Sequence, residues 1–234
     1  MMKNTSPIQS RLSPFMQYLA ALPQNNQVRL PPLAELSQDL GLSVASLREQ
    51  LEVARMMGLV EVHPRTGIQK MPFTFTKAVS TSLFYGMLTN DDTFAKYADF
   101  RKQIELVFWK QAVSLLTEDD HNKLVRLVKR AFEKLHHQPP QIPHEEHKEL
   151  HLSIFRRLDN PFVQGVLEAY WQAYEESGLA MYTDLQYLEQ VWRYHQKMVD
   201  AICSGDVDNG YRIVTEHMDL ISQRAKPIYR HRFE

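Results

Sequence analysis

Apolar positions recur along this chain first at helical spacing, then briefly in alternation, then at helical spacing to the end. Leu33, Leu36 and Leu40 follow Pro31-Pro32, which fit a first helical turn where a missing N–H costs nothing. Gly41 stops that helix, and Ser43 is a natural N-cap for a second one. Leu47, Leu51 and Ala54 make its inward stripe, which runs to about Met57. Leu59-Val60-Glu61-Val62 alternates like a strand, and His63-Pro64-Arg65-Thr66-Gly67 turns the chain before Ile68 and Met71. Two helices around a glycine turn, followed by a strand pair with a polar tip, are the layout of a helix-turn-helix with a wing. Such a unit reaches into DNA grooves. The alternative is a small helical bundle with a hairpin that serves packing only.

A helix over residues 10–21 precedes this block, and residues 72–74 read as a linker. Beyond it the spacing predicts helices over 76–87, 91–116, 118–136, 144–158, 161–178, 185–204 and 206–229. Pro139-Pro140, Pro143, Asp159-Asn160-Pro161, Ser177-Gly178 and Ser204-Gly205-Asp206 supply the breaks. The expected fold is mostly α: a winged helix-turn-helix head over residues 1–72, and an all-α antiparallel bundle of about seven helices over 73–234.

Composition narrows the setting. Of 234 residues 44% are hydrophobic, enough for two modest cores, and no apolar run has the length of a membrane span. The first ten residues lack the basic-then-apolar order of a signal peptide. A lone cysteine, Cys203, forms no internal disulfide, so the cytoplasm is the expected location; beside Ile202 it reads as a small buried hydrophobe. Net charge is −1, yet residues 1–72 hold seven Lys/Arg against five Asp/Glu, the sign that a DNA-reading head requires.

Four of the ten histidines fall at telling places. His147 and His151 are four apart on one expected helix, hence on one face. His195 and His217 flank the turn at Gly205, and folding the two helices back brings both side chains to a similar height, roughly 15–18 Å from the turn. Imidazole is a good ligand for zinc, nickel, copper or iron. A solvated helix face is the plainer explanation of the first pair alone, but the second pair mirrors it. Glu146 and Glu149 point elsewhere around the helix and are expected in solvent, whereas His144 could compete as a ligand.

The head resembles the winged helix of GntR-family transcription regulators through Leu30-Pro31, Gly41-Leu42-Ser43, Leu47-Arg48-Glu49, Gly58-Leu59 and Gly67. Where that family commonly carries arginine, this chain has Ala34 and Val44, followed by Ala45. The resemblance implies a DNA contact surface of Ser43, Val44, Ala45, Ser46, Arg48, His63, Arg65, Thr66 and Gly67. Val44 or Ala45 would meet thymine methyls, Arg48 a phosphate or base, and Arg65 the minor groove.

Residues 99–217 are similar to the helical FCD ligand-binding domain of the FadR-type subgroup. The matching pieces are Asp99-Phe100-Arg101-Lys102-Gln103-Ile104-Glu105, His151 with Asn160-Pro161, and His195 with Ala201-Ile202, Gly205-Asp206 and His217. The resemblance implies a divalent metal held by one aspartate and three histidines, here His151, His195 and His217. His147 stands in the aspartate's place, which favours zinc or nickel over magnesium or manganese. It also implies a small organic acid effector beside the metal, with Arg101 and Glu105 in its site, although Arg101 could equally pair with Glu105 one turn away. Tyr170, Trp171, Tyr174, Trp192 and Tyr194 would be cavity walls or core. The whole reads as a homodimeric regulator of a roughly palindromic DNA operator, with no membrane partner. The competing readings are a His-ligated metalloenzyme and an effector-free DNA binder.

Overall fold

The computed structural model describes residues 7–24, 28–177 and 184–222. The chain forms two compact units, residues 1–81 and 82–234, so the division falls nine residues beyond the expected linker edge, inside a helix.

The first unit holds α1 (Pro14–Ala21), β1 (Val28–Arg29), α2 (Leu33–Leu40), α3 (Val44–Met56), β2 (Val60–His63) and β3 (Gly67–Lys70). Its antiparallel sheet has the order β1-β3-β2, with Val62 opposite Ile68 and Val28 opposite Lys70. Two departures from expectation have local causes. The first helix starts late because Ser13 caps it, accepting from the Met16 N–H, while residues 9–11 form a separate single turn. The strand β1 is two residues long, too short to show alternation. Phe15, Leu36, Leu47, Ala54 and Val60 are fully buried together, and the Gln50 side chain accepts the Phe15 N–H at 3.1 Å, tying α1 to α3. Between α2 and α3, Gly41 takes φ +63°, which a side chain would resist.

After α4 (Thr76–Thr89) come α5 (Thr93–Ser114), α6 (Glu118–Leu135), α7 (His144–Phe155), α8 (Pro161–Glu176), α9 (Leu185–Ser204) and α10 (Val207–Ser222). These are seven helices among the described residues: α4 runs two residues past the expected end, α9 has the expected bounds, and the other ends that differ are shorter by one to three residues; residues 223–229 of the last expected helix lie outside the described residues. Asn160 caps α8 through the Phe162 and Val163 N–H groups, and Gly205 ends α9 at φ +74°. In the second unit α5 packs against α7, α8 and α10, and α9 against α6 and α10. Trp109, Leu124, Leu150, Ile154, Met198 and Val214 are fully buried at the centre.

Two side chains depart from expectation, Cys203 having been expected buried and Glu146 in solvent. Cys203 is exposed, because the inward stripe of α9 runs through His195, Met198, Val199 and Ile202 and its last turn leaves Cys203 on the flank. Glu146 is buried, because α7 packs on α6 and presents it to Lys134 at 2.7 Å and Arg130 at 3.9 Å. Glu149 pairs with Lys123 at the surface. Among the described residues no helix is long and apolar enough to cross a membrane.

Candidate metal and effector site

Three helices of the second unit send four histidines to one point. His147 and His151 come from α7, one turn apart; His195 comes from α9 and His217 from α10. One ligand atom from each lies within 4.8 Å of the others. The Nε2 of His195 sits 3.2 Å from that of His151 and 3.1 Å from that of His217. Nitrogens bound tetrahedrally about 2.0–2.1 Å from one ion stand about 3.4 Å apart, close to these separations. His144 stays outside the cluster, edge-on to Tyr174.

The donor set suits a metal for a second reason. His147 Nε2 is buried and has no hydrogen-bond partner, an arrangement that costs about 1–3 kcal/mol unless something binds it. The Nδ1 atoms of His195 and His217 are also buried without a partner, but on the side of each ring away from the Nε2 that faces the cluster. Burial holds the pKa of His147, His195 and His217 well below the ordinary value, and neighbouring imidazoles and Arg101 push the same way. The rings are therefore neutral at pH 7, the form that ligates a cation.

His151 differs in having a carboxylate behind it. Arg101 and Glu105, one turn apart on α5, are both buried and pair at 2.5 Å. Burial opposes ionisation of Glu105, but Arg101 and His151 outweigh it and hold its carboxyl below the usual range. His151 Nδ1 lies 3.1 Å from Glu105 Oε2 and 2.9 Å from Arg101 Nη2. It can serve only one of them. Protonated, Nδ1 donates to Glu105 and leaves the Nε2 lone pair facing the cluster, the arrangement found behind metal-bound histidines. Bare, it accepts from Arg101.

The Arg101 guanidinium also stacks 4.2 Å over Tyr170 and 5.3 Å from the Trp171 ring. It is thus a buried, multiply held group rather than a surface partner of Glu105. Trp171 packs 4.7 Å from His147, and its indole N–H is buried without a partner. Nothing in the sequence marks that orphan, since an aromatic at helical spacing reads equally well as core. Trp192 packs at 4.8 Å from His195, and Tyr194 at 6.2 Å from His217.

In the first unit the residues expected at DNA are spread over α3 and the wing. Val44, Ala45 and Arg48 are exposed on α3. Ser43 caps α3 through the Ser46 N–H at 3.1 Å, and Ser46 Oγ accepts from Gln50, so both hydroxyls already serve the fold. His63 pairs with Glu61 at 3.2 Å; Arg65 and Thr66 stand exposed at the tip, where Gly67 takes φ +79°.

Residues 97–220 match the FCD domain family. No curated protein matches the chain in sequence. Among solved structures, Streptococcus agalactiae GntR is 16% identical, with a TM-score of 0.61 over 90% of this chain and 95% of its own. The E. coli McbR/YncC structure is 17% identical, with a TM-score of 0.51 over 88% of this chain and 91% of its own. Identity at this level speaks for the fold, a winged-helix head joined to a helical body. The family match spans more than half of the chain, which therefore belongs to the FCD-domain family.

Proposed function

We propose that this chain is a homodimeric, metal-dependent, metabolite-responsive regulator that binds a roughly palindromic DNA operator in the cytoplasm. The observation that carries the reading is the convergence of four neutral histidines in the body of a chain whose head is a winged helix-turn-helix. His147, His151, His195 and His217 would hold a divalent transition metal, zinc or nickel by the nitrogen-only donor set. Such an ion would supply a Lewis-acidic position for an anionic oxygen of a small organic acid.

The protein's own residues account for the rest. Arg101 is stacked on Tyr170 and held by Glu105, so it contributes positive charge from a fixed position. Glu105 orients His151. The histidines lie on α7, α9 and α10, so an acid bound among them engages three helices at once and favours one packing of the body over another. In the head, Val44, Ala45, Arg48 and the wing residues His63, Arg65 and Thr66 face the DNA, and two heads in a dimer meet two half-sites. Catalysis is disfavoured by the nearest carboxylate, since Glu105 is already committed to Arg101 and His151.

Affinity selection of the host's genomic DNA on purified, metal-loaded protein tests the reading. An enriched palindrome whose binding changes with added small acids is expected. Absence of any enriched sequence, or metal below one ion per chain after loading, would overturn it.

A further inference from the structure

The inward stripe of α3 is Leu47, Leu51 and Ala54, all buried. At about 100° per residue the opposite face passes through Ala45, Glu49, Glu52 and Met56, each of them exposed. Of these, the first two turns carry Ala45 and Glu49, the part of a recognition helix that meets base edges in the major groove. Both flanking arginines are displaced from the centre: Arg48 lies to one side, and Arg55 is bound to Glu52 by two contacts of 2.8 and 2.6 Å. Glu52 is thereby neutralised. Glu49 is engaged by no hydrogen bond or ion pair among the described residues. The centre of the reading face is thus a methyl group followed, one turn on, by a free carboxylate.

From this placement we infer that Glu49 reads cytosine. A carboxylate only accepts. In the major groove guanine offers two acceptors and thymine an acceptor and a methyl, so both repel it or leave it desolvated. Adenine's amino group lies beside the N7 acceptor. Cytosine N4 presents a donor with no acceptor next to it on the same base. Ala45, a turn earlier on the same line, can add only a methyl contact, which suits thymine. Together they select a pyrimidine pair on one strand of each half-site, with Glu49 setting the cytosine. The inference rests on the DNA-binding reading above.

The test is selection from a randomised duplex library by the full-length protein, in parallel with Glu49→Gln and Glu49→Ala. Melting temperatures equal to the parent would verify folding, since Glu49 is exposed and has no ion pair or hydrogen bond among the described residues. The parent is expected to enrich a half-site with one cytosine column preferred about tenfold. Glu49→Gln should turn that column to adenine, because an amide both donates and accepts, and Glu49→Ala should flatten it, with the other columns kept. An identical motif from all three proteins would overturn the assignment of Glu49 and leave DNA reading intact. No motif from the parent would overturn both.

Discussion

His195 and His217 bring their Nε2 atoms to 3.1 Å although 22 residues separate them. The turn at Gly205 folds α10 back along α9, so residues ten before it and twelve after it meet at one level. The neutral pair cannot satisfy itself. Each ring keeps a buried Nδ1 with no partner, and His195 Nε2 faces His151 as well. A cation held by the Nε2 atoms would relieve the crowding of their lone pairs.

His195→Ala should therefore remove the metal rather than shift its position. The variant is expected to bind well under one ion per chain by elemental analysis after dialysis. Added zinc or nickel should no longer raise the melting temperature of the helical body, as it should in the parent. The fold of the head should be unaffected. Metal bound at parental stoichiometry would show that His195 is not a ligand.

A gentler change separates ligation from orientation. Glu105→Gln keeps the shape behind His151 but withdraws the negative charge that favours a proton on Nδ1. Metal affinity in a chelator competition should fall about 10- to 100-fold while stoichiometry at saturation stays at one. The same variant leaves Arg101 buried without its counter-ion, so the metal-free protein should lose stability by about 3–5 kcal/mol in denaturant unfolding. Equal affinity in both proteins would mean that Glu105 serves Arg101 alone.

How much of this was readable beforehand depends on the kind of information. Caps and breakers are local, so Asn160-Pro161, Ser43 and Gly205 fixed helix limits to within a few residues. The four histidines were legible because spacing on α7, and symmetry about Gly205, are arithmetic. Burial of charge was not. Glu146 looks like a solvent residue until Lys134 and Arg130 of α6 arrive beside it, and Arg101 looks like a surface partner until Tyr170 covers it. Both outcomes are set by which helices pack together. Cys203 errs the other way, since its apolar neighbours say nothing about which flank of the last turn is covered.

The histidines also set a pH dependence. Burial first, then neighbouring positive charge, lowers the pKa of His147, His195 and His217 in the folded protein. The unfolded chain, with histidines near 6.5, binds more protons below that value. The associated stability is present above pH ~6.5 and is lost as pH falls through it. Metal-free protein should melt progressively lower between about pH 7.5 and 5.5, and His217→Asn should flatten part of that slope. A melting temperature independent of pH over this range would contradict the buried neutral cluster.

A second carboxylate reports separately at lower pH. Asp120, buried at the start of α6, accepts from Thr117 N–H at 2.9 Å and from the side chains of Arg156 and Arg157 beyond α7. The Arg157 hydrogen bond, against the opposing effect of burial, holds its pKa far below the ordinary 3.8. Its contribution is complete above that ordinary value and disappears as pH falls below it. Asp120→Asn should lower stability at pH 7 and narrow the gap to the parent as pH drops below about 4. A gap that stays constant with pH would mean that the charge of Asp120 is not what joins α6 to α7.

Packing far from the histidines should still reach the metal. Gly210 on α10 faces Trp109 of α5 so closely that a Cβ there would come within 2.9 Å of the ring. Trp109 is fully buried and its indole N–H donates to the Val207 carbonyl at 3.1 Å, so the ring has little room to yield. Gly210→Ala should then push α10 away from α5, at a cost of about 1–3 kcal/mol. Since α10 carries His217 seven residues on, two turns along the same face, the displacement should move one imidazole relative to the other three. Metal affinity should fall together with stability. Ser204→Ala, at the other end of the α9–α10 turn and losing only a local bond to the Ala201 carbonyl, should leave affinity unchanged. If Gly210→Ala lost stability but bound metal as tightly as the parent, the seat of α10 on α5 would not control the histidine cluster.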